Sequence, residues 1–250
     1  MTNRELIKDI IPTTKGSAYV NNISFDKGKK MLESQGYHIP SLEEIAQLRI
    51  LQGKDADVSK HSFWVNQAIV YLPDGRRYLT SNSPIMLSPE KAVQLEKTHK
   101  RFYLTKNQVD FALKGALRLH GSDFHIPVCS FSEDDFTTYA FGRCAKEYGS
   151  LLSNAGIKKI WIDLHENDND KPYVAPVLFE GFGLLNNTIG QSTISGCNIG
   201  LQNTTVYGIS DLAVHSDKSV FPAADLELLR KVRVGEVATK ELESLIARLG

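Results

Sequence analysis

Apolar residues along the chain recur at helical spacing in some stretches and alternate or run together in others, which divides it into predicted elements. Leu42, Ile45 and Leu48 lie on one helical face behind Ser41-Leu-Glu-Glu44, and Gly53 closes that segment. Ser41 and Glu44 have the spacing of a capping box, in which each satisfies a backbone amide of the other. Ser24 opens a helix that ends at Gly36. Ser88-Pro89-Glu90 opens another, with proline at the first helical position, where a missing N–H costs nothing. Thr105-Lys-Asn-Gln108 starts a fourth, with Val109, Ala112, Leu113, Ala116 and Leu117 as its buried stripe and Gly121 as its end.

Between these helices the pattern changes to strand. Phe63 to Leu72 is rich in β-branched and aromatic residues, Pro73-Asp74-Gly75 has turn chemistry, and Arg76 to Thr80 returns. This predicts a β-hairpin over 63–80.

Beyond Gly121 strands and helices alternate. His125 to Phe131 reads as a short strand, and Ser132 as the cap of a long helix with Glu133, Asp134 and Asp135 in its first turn. Phe136, Ala140, Cys144, Tyr148, Leu151 and Leu152 form the apolar face of that helix, and Gly156 ends it. Ile157–Leu164 and Tyr173–Phe179 read as strands. Strand, helix and strand in this order predict a β-α-β unit with parallel strands and a right-handed crossover. Residues 181–222 carry only Asp211, Asp217 and Lys218 as formal charges. Within them Ile189–Gly196 and Ile199–Gly208 form an imperfect repeat that predicts two short strands between glycine turns. Two helices, near 222–230 and 239–249, finish the chain.

The expected fold is therefore mixed α/β (α+β). Its N-terminal half, 1–121, is mainly helical with one hairpin. Its C-terminal region, 122–250, holds the β-α-β unit, short polar strands and two terminal helices.

Charge supports a division near Gly121. The 29 basic and 29 acidic side chains cancel over 250 residues, which removes nucleic-acid binding through bulk charge. Residues 1–120 nevertheless carry 18 Lys+Arg against 12 Asp+Glu, and residues 121–250 carry 11 against 17. Halves of opposite sign can pair internally, steer a charged ligand or face different partners. The basic stretch 97–106, with Phe102 and Tyr103, keeps a local nucleic-acid contact open. A charged start, no apolar run long enough for a bilayer, and Cys129, Cys144 and Cys197 without a C-x-x-C pair give the expectation of a soluble, cytoplasmic chain with buried thiols.

Chemistry-bearing motifs are few. No nucleophile elbow or phosphate-cradling loop occurs, and Ser88-Pro-Glu-Lys91 is a helix start. His120, His125 and Cys129 are metal-capable, yet they lack the thiol pair of a zinc site. One candidate depends on topology. Parallel strands would bring Asp134 and Asp135, after the first strand, to the same sheet edge as Asp163, His165 and Glu166 at the end of the second. Open α/β sheets bind ligands at that edge, and such oxygen and imidazole donors suit Mg²⁺ or Mn²⁺. Two functions follow. The first is a ligand-binding or protein-interaction role without catalysis, with a homo-oligomer or another protein as partner, drawn from the missing catalytic motifs and the neutral zone 181–210. The alternative is a Mg²⁺- or Mn²⁺-dependent phosphate-ester hydrolase built on the acidic cluster.

Overall fold

The capping box at Ser41 forms. Glu44 Oε2 accepts from the Ser41 amide at 2.7 Å, the Ser41 hydroxyl accepts from the Glu44 amide, and Gly53 ends the helix with φ +85°. Thr105 and Gln108 cap each other in the same way. The computed structural model describes residues 10–12, 16–120, 124–164, 170–182, 191–196 and 200–210. In chain order these form β1 (Ile11–Pro12), β2 (Ser17–Ile23), α1 (Phe25–Ser34), α2 (Leu42–Gln52), α3 (Asp57–Lys60), β3 (Phe63–Tyr71), β4 (Arg77–Thr80), α4 (Pro84–Leu87) and α5 (Pro89–Lys97). Next come β5 (Phe102–Tyr103), α6 (Lys106–Ala112), β6 (Leu117–Leu119), β7 (Phe124–Pro127), α7 (Asp135–Phe141) and α8 (Ala145–Asn154). Four strands follow: β8 (Lys159–Asp163), β9 (Tyr173–Phe179), β10 (Gln191–Gly196) and β11 (Thr204–Ile209). The predicted terminal helices, like Cys197, lie outside the described residues.

Two sheets organise these strands. The larger has the order β6-β4-β3-β9-β10-β8-β7, with β5 also paired to β9. The smaller is β1-β2-β11. The predicted hairpin is present: β3 and β4 pair antiparallel across a turn in which Gly75 takes φ +81°. The two members of the internal repeat become β10 and β11, one in each sheet. Strands from both sides of residue 121 share the large sheet.

β3 explains the near-continuous apolar run of its sequence, because it is buried on both faces. Phe63, Val65, Ile69 and Tyr71 meet α2, α7 and α8 in one core. Trp64, Ala68, Val70 and Leu72 meet Phe25, Leu32, Val93 and Val206 in the other.

Three predicted elements differ. The helix opened by Thr105 ends at Ala112 rather than Gly121. There the Thr80 hydroxyl donates to the Ala112 carbonyl at 2.5 Å, Asn82 Nδ2 donates to Lys114 O, and Gly115 turns the chain with φ +69°. Leu117 and Leu119 then pair with β4 as an edge strand. The long helix predicted from Ser132 is capped instead by Asp134, whose Oδ1 accepts from the Thr137 amide, and it breaks in the middle. Gly142 takes φ +52° at the break, and a Cβ there would stand 2.5 Å from the Glu43 carboxylate.

That break removes the parallel β-α-β unit. α7 and α8 run out and back, so the chain re-enters the sheet at the edge it left. β7 and β8 are antiparallel neighbours, with Phe124 opposite Ile162 and Pro127 opposite Lys159. The parallel neighbour of β8 is β10, with Ser195 opposite Asp163.

One buried cation joins these layers. Arg49 of α2 has no exposed surface. Its Nε donates to Val58 O at 3.0 Å and Nη1 to the Tyr148 hydroxyl at 2.9 Å. Nη2 donates to His61 O at 3.1 Å and Glu180 O at 2.9 Å. The guanidinium carbon lies 4.1 Å from the Phe179 ring centroid, 5.1 Å from Phe182 and 5.6 Å from Phe63. None of these partners is a carboxylate, so carbonyl dipoles, a phenol oxygen and aromatic faces hold the charge. Packing at this junction is tight, for Gly181 sits directly on the Lys60 backbone where no Cβ fits, and Phe182 N donates to Ser59 O at 2.6 Å.

Replacing Arg49 by methionine keeps bulk but strands three carbonyls and a phenol. Each buried group left unpaired costs about 1–3 kcal/mol. The expected total is about 3–5 kcal/mol, which is a fall in Tm of roughly 10 °C or more for a domain of this size. A thermal melt of Arg49→Met within about 2 °C of wild type would refute this role.

Candidate functional site

The parallel β7–β8 edge that was expected to gather the acidic residues does not form. Because β7 and β8 are antiparallel, Asp134 and Asp135 follow the Pro127–Lys159 end of the pair, while Asp163 lies at the Phe124 end. A shared metal needs all its oxygens within about 2.6 Å of one point. Asp134 serves as a helix cap, and Asp163 Oδ2 accepts from the Ser195 hydroxyl at 2.9 Å. His165 and Glu166 lie outside the described residues. Among the described residues no three His, Cys, Asp or Glu side chains are grouped to hold a metal ion. His125 packs edge-on to Trp161, with ring centroids 5.5 Å apart, and Cys129 is exposed. In the basic stretch Phe102 is buried under the Lys91 ammonium and Arg101 stacks on Tyr173, so of the two aromatics proposed to stack on a base only Tyr103 reaches the surface.

A different site forms where the two sheets approach one another. His61, Ser62, Trp64, Leu178, Gly200, Asn203, Thr204, Thr205 and Tyr207 line an open groove of about 400 Å³. None of them is Asp, Glu, Lys or Arg. One wall is aromatic. Tyr207 lies 4.3 Å from Phe63, 5.1 Å from Tyr19 and 5.8 Å from the exposed His61, measured between ring centroids. Burial above all, with Tyr19 and Asp57 adding, holds the Tyr207 phenol above its ordinary pKa, so it remains a neutral donor. The other wall is hydroxyl-rich. Trp64 Nε1 donates to Thr204 Oγ1 at 3.0 Å, and Thr205 Oγ1 donates to Asn21 Oδ1 at 2.6 Å. Asn203 is exposed at the rim.

The sequence pointed to part of this groove. Gly200, Asn203, Thr204, Thr205 and Tyr207 all come from the neutral zone 181–210. His61, Ser62 and Trp64 come from more than 130 residues earlier in the chain, and no spacing rule links them to that zone. The single local sign was Trp64, an indole N–H in an apolar strand that needs an acceptor from elsewhere.

No family model and no curated protein matches this chain. It is similar to a solved structure described as showing "accommodation of massive sequence variation in Nanoarchaeota by the C-type lectin fold". The likeness covers 79% of this chain and 99% of that one, with a TM-score of 0.58 and 14% sequence identity. The class defined by that likeness is the C-type lectin fold: a larger and a smaller sheet flanked by helices. No helix among the described residues is long and apolar enough to cross a membrane.

Two titrations follow from burial in the core. Burial of Cys144 against α2 pushes its thiol up to about 12. At pH 8 a thiol reagent should label Cys129 in the native protein and leave Cys144 untouched until denaturant is added, as peptide mass mapping would show. Fast native labelling of Cys144 would contradict its core position. Glu180 also has a raised pKa, chiefly from burial and also from Asp163, partly offset by a hydrogen bond from Thr193. The folded chain therefore holds this proton more tightly than the unfolded chain, and stability falls as pH rises through the carboxylate range. Glu180→Gln should raise Tm at pH 7, and the gain should vanish toward pH 4. A variant less stable than wild type at pH 7 would reverse that sign.

Proposed function

We propose that this chain is a non-catalytic binding protein whose partner, an uncharged segment of another protein, docks in the groove between the two sheets. The observation that carries this reading is the lining itself. It combines a Tyr–His–Trp wall with serine, threonine, asparagine and glycine, and among the described residues includes no Asp, Glu, Lys or Arg. Tyrosine and tryptophan supply large, rigid contact areas at low entropic cost, while Ser, Asn and Gly supply adaptable hydrogen bonds. Among the described lining residues no Asp, Glu, Lys or Arg pairs with a charged ligand that gives up its hydration there. A volume of about 400 Å³ lies in the range of small binding sites.

The scaffold also supports the reading. Arg49 and the two cores carry the fold, whereas His61, Ser62 and Asn203 present their side chains at the rim. In the Nanoarchaeota protein the same fold accommodates massive sequence variation. A framework held together away from its rim has the physical freedom to do so, because rim substitutions far from buried contacts usually change stability by less than about 0.5 kcal/mol.

The test is selection of random displayed peptides on the intact protein, with a panel of neutral oligosaccharides in parallel. Selected peptides should be poor in charged residues, and their affinity should fall about tenfold or more, at least ~1.4 kcal/mol, in His61→Glu and Asn203→Asp. The melting temperatures of both variants should stay near wild type. Peptides that bind the variants as well as the parent would place binding elsewhere. Oligosaccharides binding the groove where peptides do not would replace a protein partner by a sugar.

A further inference from the structure

The groove depends on a turn, residues 200–203, that has no regular hydrogen-bonded structure of its own. What holds that turn comes from about a hundred residues earlier in the chain. Glu96 Oε1 accepts from both the Gly200 amide at 2.6 Å and the Leu201 amide at 3.2 Å. Leu201 is buried in the core beneath, and its carbonyl accepts from the Phe25 amide at 2.7 Å. Gly200 takes φ +105°, and a Cβ there would touch the Trp64 ring at 3.4 Å. The turn is thus pinned through both its N–H and C=O groups, and it leads directly to Thr204, the acceptor of the Trp64 indole.

We infer that Glu96 is the positioning residue of the groove: its carboxylate sets the 200–203 turn and, through it, the Thr204–Trp64 bond that shapes the hydroxyl-rich wall. This inference rests on reading the groove as the binding site. Two observations separate it from an incidental contact. Glu96 lies in the last turn of α5, where a negative charge opposes the helix dipole and is disfavoured unless something nearby compensates it. Two adjacent amide N–H groups converging on one carboxylate oxygen are that compensation, in the form of charge-assisted hydrogen bonds. In addition, Glu96 Oε2 is buried, beside a small cavity lined by Leu95, Phe102, Pro176 and Leu201, so the carboxylate does not swing freely into water. Neither residue types nor spacing reveal the link, because Glu96 reads in sequence as one more polar position on an exposed helix.

The chain contains two tryptophans, Trp64 and Trp161, and their indole N–H signals provide a readout that needs no ligand. Glu96→Ala should shift the Trp64 indole resonance in a ¹H–¹⁵N spectrum and leave that of Trp161 in place. Amide exchange at Gly200 and Leu201 should quicken by about tenfold or more. Glu96→Gln retains an acceptor oxygen at the same reach and should restore both the resonance and the protection. Should the alanine variant fail to fold, Glu96→Asp, one methylene too short to reach both amides, replaces it against the same glutamine control. An unmoved Trp64 signal in the alanine or aspartate variant overturns the inference. So does an equal shift of both indole signals, which marks a general loosening. Because the spectra are recorded without ligand, this test can fail while the binding reading stands, and a failed peptide selection leaves its outcome unaffected.

Discussion

A fully buried guanidinium without a carboxylate partner is the constraint around which this fold is arranged. Removing such a charge from water costs several kcal/mol after relaxation, so its donors need acceptors in place. Four of the five N–H groups of Arg49 find them in Val58, His61, Glu180 and Tyr148. Meeting that demand brings α2, the end of α3, the entry to β3, the exit of β9 and the face of α8 to one point. The aromatic faces of Phe63, Phe179 and Phe182 complete the cage. His61 at the rim of the groove and Phe63 behind its Tyr207 wall are both tied to this centre, so the cation that orders the interior also borders the binding surface.

The same economy appears on the other side of β3. The second core packs Trp64 and Leu201 beneath the smaller sheet, and Glu96 fixes the turn above them. The groove is therefore framed by two polar anchors, one cationic and one anionic, each bonded to backbone groups rather than to an opposite charge. That separates the net charge of the chain from the chemistry of its site. The ion pairs Lys29–Glu33, Lys30–Glu90 and Arg76–Asp74 all join residues of the basic first half and stay at the surface. The opposed charges of the two halves are not what holds β3 to β9. Apolar packing and strand hydrogen bonds do that.

Local chemistry was legible where it is self-sufficient. The box at Ser41–Glu44, the helix start at Thr105, proline at the start of α5 and the Pro73-Asp74-Gly75 turn all depend on residues within four positions of each other, and all form as expected. The failures share a cause. The helix after Thr105 stops early because Thr80, on a neighbouring strand, takes the Ala112 carbonyl. The helix after Asp134 breaks because Gly142 has to pass close to Glu43 of α2. With β7 and β8 antiparallel, the parallel edge expected to gather Asp134, Asp135 and Asp163 is not formed. The groove was half visible as a neutral, glycine- and threonine-rich zone. Its other half was invisible, because nothing around His61 and Trp64 marks them as facing residue 204.

The sequence by itself determined the periodicity of each element, its caps and turns, and the neutrality of the stretch that lines the site. These follow from backbone sterics and hydrogen bonds between near neighbours, which operate before the chain is compact. Only the tertiary structure decided strand direction, the break at Gly142, the burial of Arg49 and the meeting of the two sheets at the groove. Each of those is settled by a contact across tens to more than a hundred residues, and such a contact exists only once the rest of the core has excluded water around it.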